Sequence, residues 1–165
     1  MLANHTMQYS VHLPSRYIYT HQHQLLPDWS LPASSVLIVL QRCPCNLLEQ
    51  APEAELQKNL LRREFLKLGG NIVIELNRMG YLADLFDPRT GLPVLSTPGP
   101  LRIDDVAIAH TILGYPVYNH GGCSVILHPH WGSSVYPSTL ISSAQPLILQ
   151  RVVEGIINII NNTVK

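Results

Sequence analysis

Ser35-Val-Leu-Ile-Val-Leu-Gln-Arg42 is an unbroken run of aliphatic, largely β-branched residues with polar groups only at its ends. Such a run, without polar alternation, predicts a strand buried on both faces. A strand enclosed on both sides needs a covering layer above and below it. The rest of the chain has to supply those layers, which points to a layered α+β fold. The apolar core of the run, Val36 to Leu40, is far shorter than the ~20 residues that cross a bilayer.

Downstream, residues 53–79 carry the strongest helical pattern. Pro52 suits a first turn, and Glu53 and Glu55 lie where the positive end of the helix dipole favours acids. Leu56, Leu60, Phe65, Leu68, Ile72, Leu76 and Met79 recur at mostly three- and four-residue spacing and predict the buried stripe. Gly69-Gly70 interrupts it at about 1 kcal/mol per glycine, but the stripe resumes in phase, so one helix is expected, closed by Gly80.

Upstream, residues 8–13 alternate Tyr9, Val11 and Leu13 with polar neighbours, a half-buried strand stopped by Pro14. Residues 1–7 are expected to be a loose start, and a short helix is expected over 17–26. Tyr81 to Phe86 predicts a strand, Asp87-Pro88-Arg89-Thr90-Gly91 a turn, and Leu92 to Leu95 a short strand pairing back. Asp104 to Leu113 predicts a helix capped by Asp104 or Asp105 and ended by Gly114. Residues 115–118 and 123–128 are strand candidates around His120-Gly121-Gly122, and 134–141 is another. Pro146 opens a last helix to about Asn161, with Leu149, Val152, Val153, Ile156 and Ile160 inward. The expected fold is one α+β domain over 1–165, an antiparallel sheet flanked by helices.

Lys plus Arg and Asp plus Glu are 11 each, so the formal net charge is zero, and no basic stripe for nucleic acid is present. Charged residues make up 13% of the chain against ~25% in typical soluble domains, which fits either a partly apolar surface covered by a partner or, equally, an ordinary domain with a polar, uncharged surface. Three cysteines are too few and odd in number for a secreted disulfide scaffold. The start, Met-Leu-Ala-Asn-His-Thr, has no basic segment before an apolar run, and the first 35 residues have no Arg-rich amphipathic segment. A reducing, cytoplasmic setting without membrane association is expected.

Reactive side chains concentrate between Tyr115 and Tyr136: His120, Cys123, His128 and His130, with Trp131. Cys123 follows two glycines at the start of an apolar strand. A thiolate there is both nucleophile and soft metal ligand, whereas a cysteine beside Val125-Ile126-Leu127 also reads as a small core residue. His128-Pro129-His130 can bring two imidazoles together with Asp84 or Asp87 orienting one, yet no complete ligand set is visible, and a buried, hydrogen-bonded His128 is the simpler expectation. Asp87 before Pro88 reads as an Asx turn. Cys43-Pro44-Cys45 lacks the second pair of ligands that zinc needs and reads as two small residues at a strand end. His21 and His23 do not share a helix face. No phosphate loop and no Gly-x-Ser-x-Gly is present. On residues alone, an interaction module is favoured over an enzyme.

The ordered set Gly80-Tyr81-Leu82-Ala83-Asp84, Asp87-Pro88-x-x-Gly91-Leu92, Leu113-Gly114-Tyr115, Cys123-x-Val125-Ile126-x-His128 and Trp131-Gly132 resembles the CblD family, the methylmalonic aciduria and homocystinuria type D proteins of cobalamin (vitamin B12) trafficking. The resemblance runs from about Val36 to about Ser143. It implies a fold related to the flavin nitroreductases and no enzymatic turnover. It also implies an adaptor that docks onto a CblC-type cobalamin-processing protein and helps direct cobalamin toward methionine synthase and methylmalonyl-CoA mutase. No tightly bound cofactor of its own is implied, only cobalamin met through the partner. Tyr81, Asp84, Asp87, His120, His128 and Trp131 are the implied partner-binding positions. The family carries a Cys-Cys pair whose first thiolate can ligate cobalt; here that pair reads Gly122-Cys123, so the ligand position holds glycine and only the second cysteine remains. The alternative, a flavin nitroreductase-like oxidoreductase, needs cationic groups around a flavin phosphate, and Arg16 and Arg102 stand isolated. A zinc site built from Cys43, Cys45 and one histidine is a third reading.

Overall fold

In the computed structural model, which describes residues 6–164, Ser35–Arg42 forms a strand with every residue but Arg42 buried. This strand, β2, follows β1 (Met7–His12) and α1 (Arg16–Leu25). After it come α2 (Pro52–Arg78), β3 (Ala83–Leu85), α3 (Asp105–Leu113), β4 (Val117–His120), β5 (Cys123–Ile126), β6 (Val135–Ser142) and α4 (Pro146–Thr163). The main sheet is antiparallel in the order β1-β2-β6-β3, and β4-β5 forms a separate two-stranded hairpin.

Alternation along β2 sends its side chains into two different cores. Leu37 and Val39 join Leu140 of β6 against Phe65, Ile72 and Leu76 of α2 and Leu149 and Val153 of α4. Val36, Ile38 and Leu40 join Ile141 against Ile18 and Leu25 of α1, Ile108 and Ala109 of α3, and Ile126 of the hairpin. A helical layer therefore covers each face, as the uniformly apolar strand requires.

The α+β architecture with an antiparallel sheet agrees with the expectation, and several details correct it. Met7 belongs to β1, so a loose start does not extend through residue 7; residues 1–5 lie outside the described residues. Leu13 falls beyond the strand and is exposed. The strand at 81–86 shrinks to Ala83–Leu85, and 92–95 pairs back only through a bridge between Phe86 and Pro93. Past Val94, whose amide still reaches Leu85 O, the returning segment leaves the ladder, and the Asp84 carboxylate takes the amides of Leu95 and Ser96. In α2 the C-terminal half of the stripe is buried as expected, but Leu56 is 57% exposed and Leu60 and Met79 are also exposed. The first turns instead bury Ala54 and Leu61, and Leu61 packs on Cys43, Leu47 and Val125 rather than on the sheet face. Ile160 of α4 is likewise exposed, with Ile157 inward.

The remaining ends behave as their residues dictate. Asp104 caps α3 by accepting from the amides of Val106 and Ala107, and Gly114 stops it in the left-handed region. Gly69 and Gly70 lie inside one continuous helix. At Gly69 the missing side chain lets α2 close onto Leu85 of β3; a Cβ there would stand 2.8 Å from Leu85 Cδ1.

Candidate functional site

The β4–β5 hairpin presents the reactive side chains. Its register pairs His120 with Cys123 across a two-residue loop, Gly121-Gly122, both with positive φ (55° and 80°). Left-handed backbone at both loop positions is the primed turn that matches strand twist, and glycine adopts it without a Cβ penalty. Directly paired residues share a face. His120 and Cys123 therefore stand side by side, with Tyr118 stacked on His120 at 6.3 Å and 8° between planes. On the other face Ser124 donates to Asn119 Oδ1 at 2.5 Å. Cys123 is a free, half-buried thiol, and His120, Gly121 and Gly122 are exposed. Around Gly122 no atom lies within 4 Å of the place a Cβ would occupy.

His128 is held from three sides. Its Nδ1 accepts the amides of His130 and Trp131 at 3.1 and 3.2 Å, which leaves Nε2 carrying the proton and donating to Gln8 Oε1 at 2.9 Å. The Trp131 ring stacks on it at 4.4 Å, and Tyr115 meets it edge-on at 5.4 Å. Burial, and then the neighbouring His130, hold the His128 imidazole below its ordinary basicity. This is the buried, hydrogen-bonded histidine expected from sequence. It ties the segment after the hairpin to edge strand β1.

Asp84 and Asp87 do not reach that imidazole. Asp84 is fully buried, its oxygens taken by the amides of Leu85, Leu95 and Ser96, so its place is internal bracing rather than a surface offered to a partner. Asp87 forms the expected Asx turn to the Arg89 amide. It also takes a two-pronged contact from Arg62 Nε at 2.6 Å and Nη2 at 2.5 Å. That contact, more than the Arg89 amide, holds the Asp87 carboxyl below the usual carboxylate range. Tyr81 is half-buried against the α2–α4 core. The hairpin and the His128–Trp131 pair thus form one group tied to β1, while Asp84 lies on β3, with Tyr81 and Asp87 flanking it, at the opposite edge of the sheet.

Sequence reading missed several partners. Gln8 is a polar position of an alternating strand, and nothing local assigns it to a histidine 120 residues away. Asp105 accepts from Thr139 Oγ1 at 2.6 Å, and burial pushes its carboxyl up to about 7 against the opposing pull of that hydrogen bond. Tyr136 is raised by burial and the nearby Asp105 and Asp87 charges. Cys43 and Cys45, expected as two small residues at a strand end, are bonded to each other, with Cys43 buried and Cys45 half-exposed. Their pairing removes them from a zinc set, and among the described residues no cluster of three or more His, Cys, Asp or Glu stands close enough to share a metal.

The family described as Methylmalonic aciduria and homocystinuria type D protein matches residues 4–152, a span that contains every strand and the start of α4. The chain belongs to this family. Similar relatives are the cobalamin trafficking protein CblD of Homo sapiens, 29% identical over 124 residues covering 74% of this chain and 41% of that protein. The Rattus norvegicus protein of the same name is 29% identical over 122 residues, 73% of this chain and 40% of its own length. The Gallus gallus protein is 27% identical over 124 residues, 74% and 41% respectively. The chain thus aligns with about two fifths of the length of these family members. The matched residues 4–152 include the hairpin, the His128–Trp131 pair and Asp84. No helix among the described residues is long and apolar enough to cross a membrane.

Proposed function

We propose that this chain is a non-catalytic adaptor in cytoplasmic cobalamin metabolism. It docks onto a CblC-type cobalamin-processing protein and helps direct cobalamin toward methionine synthase and methylmalonyl-CoA mutase. The observation that carries this reading is the family match over residues 4–152, because similar proteins are named for cobalamin trafficking. Supporting it, the hairpin stands apart from the main sheet and holds His120 exposed beside the free thiol of Cys123. Trp131 and His120 are the partner-binding residues of this reading. His128 acts beneath them as a support. Gly122 supplies no thiolate, so the sulfur that this hairpin can offer to cobalt held by the partner is that of Cys123. The sheet with a helical layer on each face supports kinship with the flavin nitroreductase fold, which superposition of an experimental structure would test.

Gel filtration of the chain with a CblC-type protein and cobalamin should give a larger complex. No complex in any cobalamin oxidation state would reject the adaptor. In the complex, Cys123→Ser should abolish a cobalt–sulfur absorption band; a band that survives excludes Cys123 as ligand while leaving docking intact. Purified chain that is yellow, holds flavin stoichiometrically and turns over a substrate would replace this reading with the oxidoreductase.

A further inference from the structure

The Cys43–Cys45 pair lies under the hairpin. Cys43 is the first residue after β2, is buried, and donates its amide to Ser134 O at 2.9 Å. It packs with Leu47, Leu61 and Val125, with Cys45 and Tyr136 alongside. Val125 belongs to β5, and side chains two residues apart on a strand share a face. Cys123 therefore looks toward the same side of the hairpin as Val125. The hairpin has no strand partner in the main sheet. On this side its seat is the small cluster that the disulfide closes.

We propose that Cys43–Cys45 is a redox-responsive clip, opened by a small-molecule thiol of the glutathione class, that sets how firmly the hairpin bearing Cys123 is held. The ring spans a single intervening residue, so it withdraws little chain entropy from the unfolded state and gains little reinforcement from that source. Cys45 is half-exposed whereas Cys43 is buried, so exchange would begin on the Cys45 side, and exposed disulfides are the ones that exchange. A thiolate attacks Cys45 Sγ. The Cys43–Cys45 bond breaks as a mixed disulfide forms, and the electron pair goes to Cys43 Sγ, which takes a proton. A second thiolate attacks the small-molecule sulfur of the mixed disulfide, releasing the oxidised reagent and the Cys45 thiol. Two small thiols are oxidised to one disulfide and the protein disulfide is reduced to two thiols, so electrons balance. Once open, the 43–48 segment is no longer pinned beneath Val125, and the hairpin opens more often. The consequence for docking rests on the function proposed above, whereas the exchange itself does not.

The test equilibrates the full chain, without cobalamin or partner, in mixtures of reduced and oxidised glutathione, then traps thiols with N-ethylmaleimide and maps the labels by mass spectrometry. Labels at Cys43 and Cys45 should appear together while the far-ultraviolet circular dichroism is unchanged. A short pulse of iodoacetamide should label Cys123 about threefold faster or more once the pair is open, the size of a modest shift in local opening. A Cys45→Ser chain, which cannot form the pair, should label Cys123 at the fast rate in every mixture. Opening of the pair only in denaturant, free Cys43 and Cys45 in fully oxidised glutathione, or an unchanged Cys123 rate would each overturn the clip. None of these outcomes touches the adaptor reading, and a failure to form the CblC complex would leave these labels as they are.

Discussion

His128 has both ring nitrogens committed, one to two amides of its own loop and one to Gln8 of β1. Replacing it by alanine strands those groups and should cost about 1–3 kcal/mol, read from urea unfolding at pH 7.5. His128→Asn should cost less, since an asparagine carbonyl can accept from amides two and three residues on. The pH dependence has a definite sign. Folding lowers the basicity of His128 below its ordinary 6.5, so its contribution is complete above that value and is lost as pH falls through 6.5 toward the folded value. The gap between the natural chain and His128→Ala should therefore narrow at pH 5.5. A gap that widens on acidification would mean that the charged imidazole is the form the fold prefers.

At the scale of elements, the two adjacent glycines of α2 separate two uses of the same residue. A Cβ at Gly69 would meet the buried Leu85 side chain, 2.8 Å from Cδ1 and 3.2 Å from Cβ, whereas a Cβ at Gly70 meets nothing within 4 Å. Gly70→Ala should stabilise by about 0.5–1 kcal/mol through helix propensity alone, and Gly69→Ala should be near neutral because the Leu85 contact offsets that gain. Gly99 is the contrast: a Cβ there would stand 2.0 Å from the backbone oxygen of Gln24, which cannot rotate away, so Gly99→Ala should cost about 3 kcal/mol. Urea midpoints of the three variants check the order; Gly99→Ala as stable as the natural chain would remove the close approach. This contrast shows what was legible. Helix α2 could be read through its glycines, because the stripe kept phase. The outward turn of Leu56 and Leu60 could not, since the first turns face the 43–48 segment, a neighbour that periodicity does not name.

For the whole molecule, local patterns showed each element's type and the two-sided burial of β2, while the cross-chain partners stayed hidden. Arg62 with Asp87 and His128 with Gln8 join positions 25 and 120 residues apart, and no spacing rule reaches that far. The same concealment applies to Asp105, which reads as one of two possible caps. With Asp104 as the cap, the Asp105 carboxyl turns inward to Thr139 and rises to about 7. Its effect on stability runs opposite to that of the histidines. The folded state keeps a proton that the unfolded chain releases above 3.8, so this contribution is complete below 3.8 and shrinks as pH climbs to about 7. His128 and His12, both lowered mainly by burial, lose theirs as pH falls below 6.5, and Asp87 loses its own as pH falls below 3.8. Between about 4 and 6.5 these slopes partly cancel. Asp105→Asn removes one side of the balance. Its urea midpoint relative to the natural chain should climb from pH 5 to pH 7 and then level off, leaving the variant the more stable of the two at pH 8. An offset that stays constant from pH 5 to pH 8 would show that this carboxyl ionises in the folded chain as it does in the unfolded one, and that the buried proton is absent.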